Sequence, residues 1–121
     1  MSVAIEPASP PKAHALEQQV AGLRRLQQDG DHAAALGSAQ ARLVEFPENR
    51  DLLLIAATSL RHLRRVDEAM AILDRLERLQ PGFSRLHQER GLCFVQLKDA
   101  PGATQALLRA VHINPALTAS W

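Results

Sequence analysis

Residues 50 to 83 read RDLLLIAATSLRHLRRVDEAMAILDRLERLQPGF, and the placing of apolar side chains within them decides the fold. Leu53, Ala56, Ala57, Leu60 and Leu63 recur three and four apart, the spacing that gathers side chains on one face of a helix. A second set follows the polar pair Arg64 and Arg65, at Val66, Ala69, Ile72, Leu73, Leu76 and Leu79. Pro81 ends it, because proline lacks an amide hydrogen and disfavours helical geometry in the residue before it. The stretch is a helix hairpin.

The same hairpin is written on either side. Pro47, Pro81 and Pro115 are separated by 34 residues and 34 again, and so are Ala35, Ala69 and Ala103, and Leu26, Leu60 and Phe94. Three position classes keeping one interval mark an internal repeat, with copies at 16–49, 50–83 and 84–117 and the opening of a fourth at 118–121. The spacing predicts helices over 13–28, 31–46, 49–63, 66–80, 83–97 and 100–113, joined by turns at Asp29 to Asp31, Arg64 and Arg65, and Lys98 to Ala100. Pro101 suits the first turn of its helix, where the missing donor would be unpaired in any case. Residues 1–12 hold Pro7, Pro10 and Pro11 without helical period and read as a disordered arm before a domain at 13–121.

Composition agrees. The chain has 121 residues, 46% apolar and 22% charged, which fits a folded globular protein. It is rich in Ala and Leu, has 3% aromatics and no Tyr, and so favours helices and excludes an all-β fold. A net charge of +1 gives no excess to attract nucleic acid or an anionic membrane. The longest apolar run, Leu52 to Ala57, is too short to span a bilayer. Lone Cys93 cannot form an internal disulfide, and the first residues lack the pattern of a secretory signal, so a cytoplasmic location is expected.

No constellation for catalysis stands out, and the chain is expected not to be an enzyme and to need neither cofactor nor metal. The glycines are scattered, and none of the five histidines pairs with another at the four-residue spacing of a helical metal site. Cys93, between Leu92 and Phe94, reads as a buried inert thiol. The basic run Arg61 to Arg65 is followed at once by Asp67 and Glu68 and has no aromatic side chains for stacking, so it predicts no nucleic-acid binding.

The pattern resembles the tetratricopeptide repeat, a 34-residue helix-turn-helix unit with small residues at fixed contacts and proline near its end. Ala57 and Gly91, then Leu60 and Phe94, the alanines at 35, 69 and 103 and the three prolines carry the resemblance over residues 16–121, and Trp121 falls where the family favours tryptophan. The first copy departs from it, with Gly22 before Leu23 and with Arg42 where alanine is common. The resemblance implies an all-α array of three hairpins stacked in a right-handed superhelix and cut at the start of a fourth. Such an array leaves Leu107, Val111 and Ile113 near an uncovered end, expected to be covered by further chain or by self-association.

It also implies a protein-interaction module that binds a peptide or positions a neighbouring domain. The first helix of each pair would line a concave groove with Arg24 from the first copy, Leu54, Ile55, Thr58, Arg61 and His62 from the second, and Arg85, Gln88, Glu89, Leu92 and Gln96 from the third. Arginines beside apolar spots suit an extended peptide bearing a carboxylate. The branch of the family that clamps chaperone C-termini is not matched: its slots hold Val20, Arg24, Thr58 and Glu89, with only Arg85 basic as required. Residues 86–121 resemble, more narrowly, repeats that precede the catalytic domain in bacterial tetratricopeptide–sulfotransferase fusions. By that resemblance the chain would be an accessory segment, with sulfuryl transfer from phosphoadenosine phosphosulfate residing beyond Trp121.

Overall fold

The computed structural model describes residues 11–116, with side chains from His14 onward. Residues 1–10 of the arm expected over 1–12, and the opening of a fourth repeat, Trp121 included, lie outside the described residues, while Pro11 and Lys12, expected in the arm, belong to the first helix. Six helices follow one another without a strand among the described residues: α1 (Pro11–Gln28), α2 (His32–Glu45), α3 (Arg50–His62), α4 (Val66–Leu79), α5 (Ser84–Gln96) and α6 (Ala100–Ile113). Helix α1 starts two residues before the expected boundary, with Pro11 in its first turn, where proline is tolerated.

The 34-residue interval is built into the backbone. Gly30, Arg64 and Lys98 have positive φ angles of 83°, 67° and 61°, so each hairpin turns on one left-handed residue. At each, the amide of the next residue reaches back five positions: Asp31 to the Leu26 carbonyl, Arg65 to Leu60 and Asp99 to Phe94, at 2.8, 2.8 and 2.9 Å. This satisfies carbonyls that the ending helix leaves unpaired. Only the first turn uses glycine; arginine and lysine hold the same conformation at a cost of about 1–2 kcal/mol each. The second helices close alike, the amides of Phe46, Gln80 and Asn114 bonding to the carbonyls of Arg42, Leu76 and Ala110.

Starts are less uniform. Asp31, Asn49 and Asp99 cap their helices by accepting from the amides of Ala34, Leu52 and Gly102 at 3.3, 2.9 and 3.0 Å. Arg65 and Phe83 make no side-chain cap. Arg65 instead grips Glu68 through two bonds of 2.6 and 2.8 Å, and that contact holds the Glu68 carboxyl below its ordinary range.

Each helix packs on its neighbours in sequence, and α1, α3 and α5 also touch in succession, as in a helical repeat. Helix α3 lies between both flanking hairpins and is buried on nearly every side, from Leu52 through Ala57 and again at Ser59 and Leu60. Its periodicity predicts one buried face; two covering neighbours bury Leu52, Leu54 and Ile55 as well. Each fully buried leucine contributes roughly 1.5–3 kcal/mol. The repeated alanines Ala35, Ala69 and Ala103 are buried, as small contact residues should be. At Gly91 an added Cβ would lie 2.5 Å from the Leu107 side chain, which packs into the space that glycine leaves and would have to shift for alanine.

The uncovered end differs from expectation. Leu107, Val111 and Ile113 are half-buried, Leu107 because it fills the space above Gly91. The outward apolar residues are Leu92, Val95, Leu97 and Leu108. No helix among the described residues is long and apolar enough to cross a membrane.

Candidate functional site

A cleft of about 490 Å³ runs where α1, the start of α2, α3 and the first turn of α5 meet. Six of the residues expected in the groove line it: Arg24, Leu54, Ile55, Thr58, His62 and Arg85. Their assembly follows from the repeat, since the first helices lie side by side and positions 34 apart turn to one side. The same register places Gln28 with His62 and Gln96, so Gln28, which also lines the cleft, was available from the sequence. His32 was not, because it belongs to a second helix and reaches the cleft only through the hairpin turn.

The other expected residues are placed differently. Arg61 and Glu89 form an ion pair, with 15% and 7% of their side chains exposed, and Glu89 also accepts from Thr58 Oγ1 at 3.3 Å. Two nearly buried charges that satisfy one another are no longer open to a ligand. Gln96 is likewise engaged, donating to the Arg61 carbonyl at 3.2 Å. Leu92 and Gln96 line a separate depression of about 410 Å³ with Arg61, His62, Arg64 and Val95. Gln88 is half-buried and lines neither hollow. Leu54 and Ile55 are 7% and 3% exposed, so they form the floor of the cleft rather than projecting apolar anchors.

Charge in the cleft has one sign. Two arginines and two histidines line it, and no carboxylate does. Arg24 is partly compensated from outside by Asp51 Oδ1 at 3.3 Å. Arg85 is exposed and makes no hydrogen bond or ion pair among the described residues. Gln27 faces inward, donating to the Ile55 carbonyl at 3.2 Å and to Ser59 Oγ at 3.0 Å.

At the mouth, His32 and His62 stack with ring centroids 4.1 Å apart and planes within 3°. Burial, the Arg61 guanidinium and the His32 ring hold His62 below its ordinary value of 6.5, so it is neutral at pH 7. The parallel rings stack more readily with His62 uncharged. His32 Nδ1 is buried and has no hydrogen-bond partner among the described residues.

Cys93 is fully buried, and burial together with the Glu89 carboxylate pushes its thiol up to about 11. It is protonated at neutral pH and is no nucleophile. On the far side, Arg90 bridges Asp74 at 2.8 Å and Glu77 at 2.9 Å, joining α5 to α4. His87, 1% exposed, places Nε2 3.0 Å from the Pro81 carbonyl and 3.4 Å from Arg109 Nε. Nε2 donates to that carbonyl in one tautomer and accepts from Arg109 in the other, but cannot do both at once.

The cleft thus offers an unpaired guanidinium, a half-compensated one and amide and hydroxyl groups over an apolar floor. That is equipment for holding an anionic group on an extended segment. No protein-family model matches the sequence, and no curated protein does.

Proposed function

We propose that the chain is a tetratricopeptide-type interaction module whose cleft receives an extended peptide carrying a carboxylate, on an acidic side chain or at a C-terminus. The observation that carries the reading is Arg85: exposed, unpaired among the described residues, and on the rim of a cleft whose lining holds no carboxylate. The turns repeating at Gly30, Arg64 and Lys98 support the tetratricopeptide assignment, in which three hairpins form a right-handed superhelix. The carboxylate docks on the guanidinium of Arg85 through two parallel donors, and Arg24 adds field from across the cleft. The peptide backbone lies over Leu54 and Ile55, within reach of Thr58 and Gln28.

Fluorescence anisotropy with labelled pools of acidic, neutral and basic peptides tests this. The acidic pool is expected to bind best, with affinity falling as salt rises. Arg85→Ala should weaken it by about 10- to 100-fold, the worth of a lost charge-assisted pair, and Arg24→Ala by less, because Asp51 already shares that charge. Equal binding of acidic and basic pools, or an Arg85→Ala variant that binds as the native chain does, would refute the assignment.

A further inference from the structure

The cleft does not stop at His62. That side chain also lines the second hollow, with Arg61, Arg64, Leu92, Val95 and Gln96, where α3 and α5 end. Two hollows that share a residue form one track along the first helices. Its ends can be placed by the 34-residue register. Arg85 stands level with Asp51 in the first turn of α3, and Arg64 follows Asp51 by thirteen positions. At ~1.5 Å per residue the two arginines are about 20 Å apart along the helix axis, a distance that an extended chain covers in about six residues.

The second hollow differs from the first in its apolar part. Leu92 and Val95 are 38% and 56% exposed and offer side chains for contact, where Leu54 and Ile55 only floor the first. Its polar groups are mostly engaged, Arg61 with Glu89 and Gln96 with the Arg61 carbonyl. Arg64 is not. It is exposed, and its side chain makes no hydrogen bond or ion pair among the described residues. The backbone beneath it is fixed, because the Arg64 amide donates to the Arg61 carbonyl at 3.0 Å and the Arg65 amide to the Leu60 carbonyl at 2.8 Å. Asp67 and Glu68, which follow Arg64 in sequence, line neither hollow, and Glu68 is held by Arg65.

No carboxylate lines either hollow, and an unpaired guanidinium stands near each end of the track. A chain with one anion complements only half of that charge, and a basic chain meets like charge throughout. An apolar side chain ahead of the second anion would lie where Leu92 and Val95 are exposed.

We propose that the peptide held in the cleft is bipartite. Beyond the carboxylate taken by Arg85 it carries a second acidic residue about six positions away, which pairs with Arg64, and between them an apolar side chain that rests on Leu92 and Val95. The proposal rests on the carboxylate reading of the cleft. The second contact adds affinity because the first has already brought the chain alongside.

Fluorescence anisotropy with synthetic peptides in a glycine–serine background tests it. One peptide carries a single glutamate, a series carries two glutamates four to eight residues apart, and a last series adds a leucine between them. The second glutamate should tighten binding by about 3- to 10-fold near a separation of six, as for one exposed charge pair, and the leucine by about as much again. Arg64→Gly places at this turn the residue that the first turn has at Gly30, so it removes the side chain without straining the backbone, and it should erase the gain from the second glutamate. Val95→Ser should erase the gain from the leucine. Arg78→Ala, an exposed arginine on α4 outside both hollows, should preserve both gains. A second glutamate without effect at every separation, or a gain that survives Arg64→Gly, would overturn this proposal while leaving the carboxylate reading intact. Failure of all the glutamate peptides to bind would overturn that reading and this proposal with it.

Discussion

The middle hairpin meets its two neighbours through seams of different chemistry. Toward the first hairpin the buried contact is apolar, with Leu16, Val20, Leu23, Leu36 and Ala39 joining Leu52, Leu53 and Ala56 in one cluster, the inward polar link is the neutral Gln27, and the one ion pair, Arg24 with Asp51, lies at the exposed edge. Toward the third, Leu86 and Cys93 continue the same apolar cluster, and ion pairs are added to it, Arg61 with Glu89 and Arg90 with Asp74 and Glu77. An apolar seam tolerates loss of one polar group, because dispersion and burial are shared over many atoms. A nearly buried pair such as Arg61 with Glu89 does not, since removing one partner strands the other in a poorly solvated place.

The sharpest way to break the contrast is Glu89→Ala. With Arg61 only 15% exposed, the stranded guanidinium should cost about 3–5 kcal/mol in urea denaturation, and the double variant Arg61→Met with Glu89→Leu should recover most of it. A loss below about 1 kcal/mol would mean that the pair behaves as a surface ion pair and that the seams are alike. At the first seam, Gln27→Ala removes two bonds and leaves Ser59 and the Ile55 carbonyl partly unpaired, for an expected loss of about 1–2 kcal/mol. That loss should not change with salt, because neither partner is charged.

Acid separates the seams by where it acts, with the smallest effect. His62, which stacks on His32 across the first seam, binds its proton more weakly folded than unfolded, so stability should begin to fall as pH drops below about 6.5. Glu77 is raised by burial, but Arg90, with His87 and Arg109, outweighs this and holds it below its ordinary 4.5. The stability it contributes is complete above that value and is lost as pH falls through the lower, folded one. Replacing both His32 and His62 by Gln should abolish the first decline and leave the second. Persistence of the first decline in that variant would remove the stacked pair as its source.

Local features were legible because short-range rules govern them. Helix boundaries fell within two residues of expectation, and the left-handed residues at 30, 64 and 98 sit in the turns that the spacing marked, two of them without glycine. The cleft was legible in part: the register put Arg24, Thr58 and Arg85 on one side of the molecule, and they meet there. It could not show that Arg61, of the same residue type as Arg85 and on the same side, is spent on Glu89 while Arg85 is not. Leu97, which stands 34 residues after Leu63 of the apolar stripe, is 48% exposed, because no described element packs over the last hairpin turn.

The amino-acid order alone determined that the described chain is a string of helices turning back at a fixed interval, since helix periodicity, proline stops and turn bonds each involve residues at most five apart. Only the tertiary structure decided which charges are quenched, that two imidazoles stack 30 positions apart, and which apolar side chains stay exposed. Those outcomes depend on how side chains from separate hairpins superimpose, and angstrom-scale differences in that superposition decide whether an arginine finds a carboxylate or water.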